Sequence, residues 1–197
     1  MKLNLPCKIT ISRMILIPLV IFFYLANFIP NGIGKFIAAG IFMLAAYTDH
    51  LDGHLARKNN QVTNLGKFLD PIADKLLVYA ALILMCVDAT ITHQFAFAQL
   101  VLIIMISRDF IVDVLRQVGA SNNKIISADK CGKLKTVLQD IALSILIVYS
   151  ALKSISMTGL FVDILKWAGH ITIGLAALVA IISCVNYIVK NKEVFKG

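Results

Sequence analysis

Apolar residues run in long blocks along this chain, near 14–29, 33–48, 71–87, 94–115, 136–152 and 167–189, with short polar breaks between them. Each block, taken with the turns beside it, approaches the length of about 20 residues that an α-helix needs to cross the hydrocarbon core of a bilayer. The pattern predicts an all-α integral membrane bundle of six transmembrane helices, and an even number of crossings puts both termini on one side. The breaks "IPNG" (29–32), "VDATITH" (87–93) and "LKSISMTG" (152–159) are compact and poor in charge, whereas "GASNNKIISADKCGKLK" (119–135) is polar and basic. With no repeat, long linker or low-complexity segment, residues 1–197 read as a single membrane domain.

Composition agrees: 59% of residues are hydrophobic, 15% are charged and the mean hydropathy is +0.84, too apolar for a soluble domain of this length. Lys and Arg fix the expected orientation. Arg13, Arg57, Lys58, Lys75, Arg116, Lys133, Lys135, Lys190, Lys192 and Lys196 gather on the side of the amino terminus, against Lys35, Lys153 and Lys166 on the other. The positive-inside rule therefore makes both termini cytoplasmic. That rule, with attraction to anionic headgroups, accounts for most of the net charge of +8. No nucleic-acid motif is present, and none of the four scattered cysteines has the close spacing of a metal knuckle or redox pair. The chain is expected to be its own mature form, inserted by its first span.

The stretch from 48 to 75 breaks the apolar pattern with Asp49, Asp52, Asp70 and Asp74. On a helix, Asp49, Asp52, Gly53 and Ala56 share one face, and Gly66, Asp70 and Asp74 recur every four residues along one stripe of the next. Four carboxylates at the edge of a low-dielectric bundle repel one another and are costly to desolvate. Hard divalent cations with oxygen ligands resolve this, and a pair about 3.5 to 4 Å apart is a clamp suited to displacement at phosphorus. The small residues leave clearance for a ligand beside the backbone. His50 and His54, four apart, point away from the aspartate stripe and lack a third ligand, so zinc is not expected.

Asp49, Asp52, Gly53, Ala56, Arg57, Gly66, Asp70 and Asp74 fit D-x2-D-G-x2-A-R-x8-G-x3-D-x3-D at every fixed position and gap. This resembles the signature of the CDP-alcohol phosphotransferase family. The opening "LNLPCKITISRMILIP", "DPIADKLLV", "SRDFIVDVLR" and "GKLKTVLQDIA" resemble the branch that uses glycerol 3-phosphate, with Pro6, Thr10, Arg13 and Pro18 in place. Cys7, Ile9 and Asp109 depart from it, Asp109 standing where Glu is usual.

The resemblance implies transfer of a phosphatidyl group from CDP-diacylglycerol to glycerol 3-phosphate, with release of CMP, in a bacterial cytoplasmic membrane with the active site facing the cytoplasm. It implies two Mg²⁺ or Mn²⁺ ions on Asp49, Asp52, Asp70 and Asp74, with Asp74 as general base and Gly53, Ala56, Arg57 and Gly66 around the CDP portion. It also implies a homodimer. Arg108, inside the fourth span, is costly against lipid and is expected to face a water-filled cavity that holds the acceptor's phosphate. Lys133 and Lys135 are placed to complete that pocket, and Thr10 and Arg13 to close it. The same chemistry on inositol phosphate or phosphatidylglycerol is the alternative, and a divalent-cation transporter a more distant one. His170 is expected at the interface, Asp113, Asp129 and Asp140 are expected to pair with nearby basic residues, and the small-residue runs at 38–40 and 174–177 to allow close packing, within the protomer or across a dimer.

Overall fold

The computed structural model describes residues 5–26, 29, 32–59, 64–92, 97–121 and 130–191, and side chains over 10–26, 29, 32–48, 69, 71–92, 97–121 and 131–191. All regular structure there is helical: α1 (Leu5–Leu25), α2 (Ile33–Asn59), α3 (Asn64–Val87), α4 (Ala89–Thr92), α5 (Ala98–Ser121), α6 (Lys130–Ser154) and α7 (Leu160–Lys190). Each predicted apolar block lies in one long helix, apart from its ends. Two helices extend past the oil: α2 continues to Asn59 through the first aspartate pair, and α3 begins at Asn64, before the second. Pro71 lies about two turns into α3 without ending it, so the helical spacing of Gly66, Asp70 and Asp74 is real.

The short α4 is an addition to the predicted order. Asp88 starts it, its Oδ1 accepting from the Thr90 backbone N–H at 2.9 Å and from the Thr90 hydroxyl at 2.7 Å, as an N-cap does.

The helices pack as α6 on α7, α1 on α2 and α3, α2 on α6, and α5 on α7 and α3. In lipid no hydrophobic drive brings helices together, so close approach through small residues must. Ala38, Ala39, Ala45, Ala81, Ala142, Ala176, Ala177 and Ala180 are all buried in one core with Phe42, Leu143, Leu146 and Ile147. The alanines of both small-residue runs are thus used within the protomer. Gly169 shows how tight the fit is: a Cβ there would lie 2.7 Å from Leu146 Cδ2.

The outside is apolar as well. Ile164, Trp167, Ile171, Leu175, Leu178, Ile182, Val185 and Val189 form an exposed stripe along the whole of α7. A soluble monomer rarely shows such a patch, and a bilayer accepts it. Cys131–Ser154 and Leu160–Lys190 are long and apolar enough to cross a membrane, and Thr10–Leu25 and Ile33–Thr48 are shorter apolar stretches. His170 departs from the interfacial expectation: it is buried, its Nδ1 lies 2.7 Å from the Lys166 carbonyl oxygen one turn back, and its ring meets Tyr149 edge to face.

One end of the bundle is tied by a carboxylate. Asp88, whose side chain is 4% exposed, accepts from the Tyr24 hydroxyl (2.6 Å), from Lys35 Nζ (2.7 Å) and from the Ser150 hydroxyl, linking α1, α2 and α6. Burial alone would raise the Asp88 carboxyl, but the hydrogen bonds from Lys35, Ser150, Tyr24 and Thr90 outweigh it and hold the group below the usual carboxylate range. A depressed folded-state pKa contributes stability that is complete above the unfolded value of about 3.9 and is lost as pH falls toward the folded one. Asp88→Ala is therefore expected to cost about 3 kcal/mol at neutral pH. In thermal unfolding of detergent-solubilised protein, the drop in midpoint as pH falls below about 4 is expected to be smaller in Asp88→Asn than in the parent. Equal drops in the two would contradict this role.

Candidate active site

A polar cavity of about 310 Å³ opens between α3, α5, α6 and α7, and Asp74, Lys75, Tyr79, Arg108, Asp109, Asp113, Arg116, Lys133, Lys135, Gln139 and Tyr187 are among its lining residues. The helical repeat brings them together: Lys75 and Tyr79, Asp109 and Asp113, and Lys135 and Gln139 are each four apart on one helix, so each pair shares a face. The lining holds five cations and three carboxylates, a surplus of two positive charges. That surplus matches a phosphate dianion.

Asp109 is the hub. Lys135, only 1% exposed, donates to both of its oxygens at 2.9 and 2.8 Å, Arg108 Nη1 donates to Oδ1 at 3.1 Å, and the Tyr79 hydroxyl donates to Oδ2 at 3.2 Å. The other guanidinium terminus, Arg108 Nη2, donates to the Ser183 hydroxyl at 2.8 Å. Asp109 and Ser183 thereby hold Arg108 in one plane from two sides, leaving Nε without a partner among the described residues. Gly132 makes the space: a Cβ there would come within 2.9 Å of Arg108 Nη2. A fixed guanidinium beside a fixed ammonium is a seat for a doubly charged oxyanion.

At the cavity edge Asp74 is half exposed and pairs with Arg13 of α1, which is 1% exposed. Lys75 pairs with Asp113, as expected for that aspartate, and Arg116 Nε donates to the Tyr187 hydroxyl at 3.2 Å. Asp74, Arg108, Lys133 and Lys135 are thus brought to one cavity. Thr10 and Arg13 are not among the residues lining it; both are buried, and Arg13 pairs with Asp74 at its edge. A long cation on a tightly packed α1 finds a counter-charge in a carboxylate of α3 rather than extending to open solvent.

The positions of Asp49, Asp52, Gly53, Ala56 and Arg57 lie on α2, and those of Gly66 and Asp70 on α3; their side chains lie outside the described residues, as does all of Asp129. Among the described side chains no group of three or more potential metal ligands occurs. The donor set that the sequence offers, carboxylate oxygens only, suits a hard divalent cation.

Asp109, Tyr79, Gln139, Ser183 and Tyr187 were not anticipated as site residues. Two had a local signal: Asp109 adjoins Arg108, and Gln139 lies one turn beyond Lys135. Tyr79, Ser183 and Tyr187 have none, since nothing around Tyr79 in α3 or at the inner end of α7 marks a wall of a polar cavity.

Residues 3–182 match the family described as CDP-alcohol phosphatidyltransferase. The chain is 39% identical to a protein of Bacillus subtilis (strain 168), over 98% of this chain and 97% of the relative. It is 35% identical to one of Rickettsia felis, over 98% and 97%, and 44% identical to one of Haemophilus influenzae, over 73% and 75%. All three relatives bear the name CDP-diacylglycerol–glycerol-3-phosphate 3-phosphatidyltransferase.

Proposed function

Because this chain belongs to the CDP-alcohol phosphatidyltransferase family, we propose that it transfers the phosphatidyl group of CDP-diacylglycerol to sn-glycerol 3-phosphate, giving phosphatidylglycerophosphate and CMP. The observation that carries the choice of acceptor is the cavity with two surplus positive charges beside Asp74. It fits a phosphate dianion, since an electroneutral alcohol would leave both charges uncompensated, and glycerol 3-phosphate rather than inositol phosphate follows the relatives' names.

The acceptor's phosphate sits against Arg108, Lys133 and Lys135, with Asp109 fixing two of these cations. Its primary hydroxyl then faces Asp74. The hydroxyl oxygen bonds to the phosphorus that carries diacylglycerol, the bond from that phosphorus to the CMP oxygen breaks with its electron pair going to CMP, and the hydroxyl proton passes to an Asp74 carboxylate oxygen. Arg13 holds that carboxylate in place from behind. Asp49, Asp52, Asp70 and Asp74 hold two Mg²⁺ or Mn²⁺ ions, and Gly53, Ala56, Arg57 and Gly66 line the CDP side; the full signature and the helical backbone at every one of these positions support this assignment. When bound, such ions polarise the attacked phosphorus and stabilise the leaving CMP.

We place the protein as a single domain of six membrane-spanning helices, a homodimer in the bacterial cytoplasmic membrane, with both termini and the active site on the cytoplasmic side. The exposed apolar stripe of α7 supports a lipid environment, and the basic residues around the cavity, set against Lys35, Lys153 and Lys166, support the orientation. The dimer rests on family resemblance.

Purified protein given CDP-diacylglycerol and Mg²⁺ is expected to release CMP with glycerol 3-phosphate at least tenfold faster than with inositol phosphate or phosphatidylglycerol. EDTA is expected to stop the release and added Mg²⁺ or Mn²⁺ to restore it. Preference for another acceptor would keep the chemistry and refute the assigned substrate.

A further inference from the structure

Gln139 stands out in the cavity as a polar group that the charge network does not use. It is 1% exposed and lines the cavity on α6, yet its Nε2 has no hydrogen-bond partner among the described residues. Buried amide donors are paired in the great majority of cases, so an orphan at the wall of a substrate cavity asks for a partner from the ligand. Its position says which part. Gln139 follows Lys135 by four residues on one face of α6, and one helical turn sets it about 6 Å further along the axis, deeper in the bundle. The cations Arg108, Lys133 and Lys135 account for the acceptor's charged end. What a neutral donor at that depth is suited to meet is a neutral oxygen, because a polar group buried without a partner is penalised on both sides of the contact.

We propose that Gln139 is a specificity-determining residue for the acceptor: its Nε2–H donates to the secondary hydroxyl of the glycerol unit, while the cations hold the phosphate and the primary hydroxyl is left free to attack. The inference rests on the glycerol 3-phosphate reading above. It assigns the recognition of the acceptor's carbon skeleton to one side chain.

The test compares two acceptors that differ only in that hydroxyl, glycerol 3-phosphate and 3-hydroxypropyl phosphate, by the ratio of their kcat/KM values for CMP release. A ratio within one preparation is independent of the fraction of protein folded. The parent is expected to favour glycerol 3-phosphate by about tenfold or more. Gln139→Met, similar in length and without a donor, is expected to bring the two within about twofold. Should that variant fail to fold, Gln139→Leu, of similar bulk and with neither donor nor acceptor, is read in the same way. A parent that does not distinguish the acceptors, or a variant that distinguishes them as strongly as the parent, overturns the proposal. A parent that releases no CMP with glycerol 3-phosphate overturns the functional reading itself, a separately visible result.

Discussion

Asp74→Asn is expected to lower glycerol 3-phosphate-dependent CMP release by about 10²- to 10⁴-fold at saturating substrates, the range of a lost general base. Asparagine keeps the size of the side chain and can still accept a hydrogen bond from Arg13, so the packing of α1 on α3 should survive. What it cannot do is take up the hydroxyl proton or offer the divalent cations a charged carboxylate oxygen. Because the buried Arg13 loses a counter-charge, a lower unfolding midpoint is expected, and rates are compared below the variant's midpoint so that a chemical defect is separated from a structural one. Retention of more than a tenth of the parent rate would remove Asp74 from the chemistry and leave it only as Arg13's counter-charge.

Asp109→Asn attacks the acceptor pocket. Asp109 is the shared partner of Lys135 and Arg108, and removing its charge leaves two largely buried cations side by side without compensation. Truncating one member of a buried charge network costs about 2–5 kcal/mol, and 1.4 kcal/mol is about tenfold. The expected result is a fall of about 10²-fold in kcat/KM for glycerol 3-phosphate, with the KM for CDP-diacylglycerol moving by no more than about threefold. Asp109→Glu keeps the charge and is expected to retain activity within about tenfold of the parent. Equal changes in the KM of both substrates, or a Glu variant no better than Asn, would mean that Asp109 supports the fold and not the acceptor site.

The contrast between Asp74 and Asp109 shows what the sequence made legible. The aspartate motif is local: its members repeat at three and four residues, and helices α2 and α3 run unbroken through all of it, so the shared faces follow from periodicity alone. The apolar blocks are local in the same sense, and each became a long helix. The role of Asp109 is not local. It arises where α3, α5 and α6 meet, from Tyr79 and Lys135, which lie 30 and 26 residues away. The Asp88 latch joins residues between 53 and 64 positions distant, and it also nucleates α4, which has no apolar period of its own.

Arg13 marks the opposite case. The motif at the amino terminus singles out Arg13, but its burial against Asp74 depends on the packing of α1 on α3, which the spacing of its neighbours does not encode. Small residues tell a similar story. The run at 38–40 reads equally well as a dimer face or as internal packing, and only the neighbours of Ala38 and Ala39 decide between them.

The most direct test of the central claim is transfer itself. Purified protein in detergent is supplied with CDP-diacylglycerol, Mg²⁺ and radiolabelled glycerol 3-phosphate, and label is followed into the chloroform-soluble lipid while CMP is measured in the aqueous phase. The account predicts label in an acidic phospholipid, one mole for each mole of CMP released, with both lost in Asp74→Asn. CMP released without label entering lipid, or label entering lipid at the parent rate in Asp74→Asn, would contradict it.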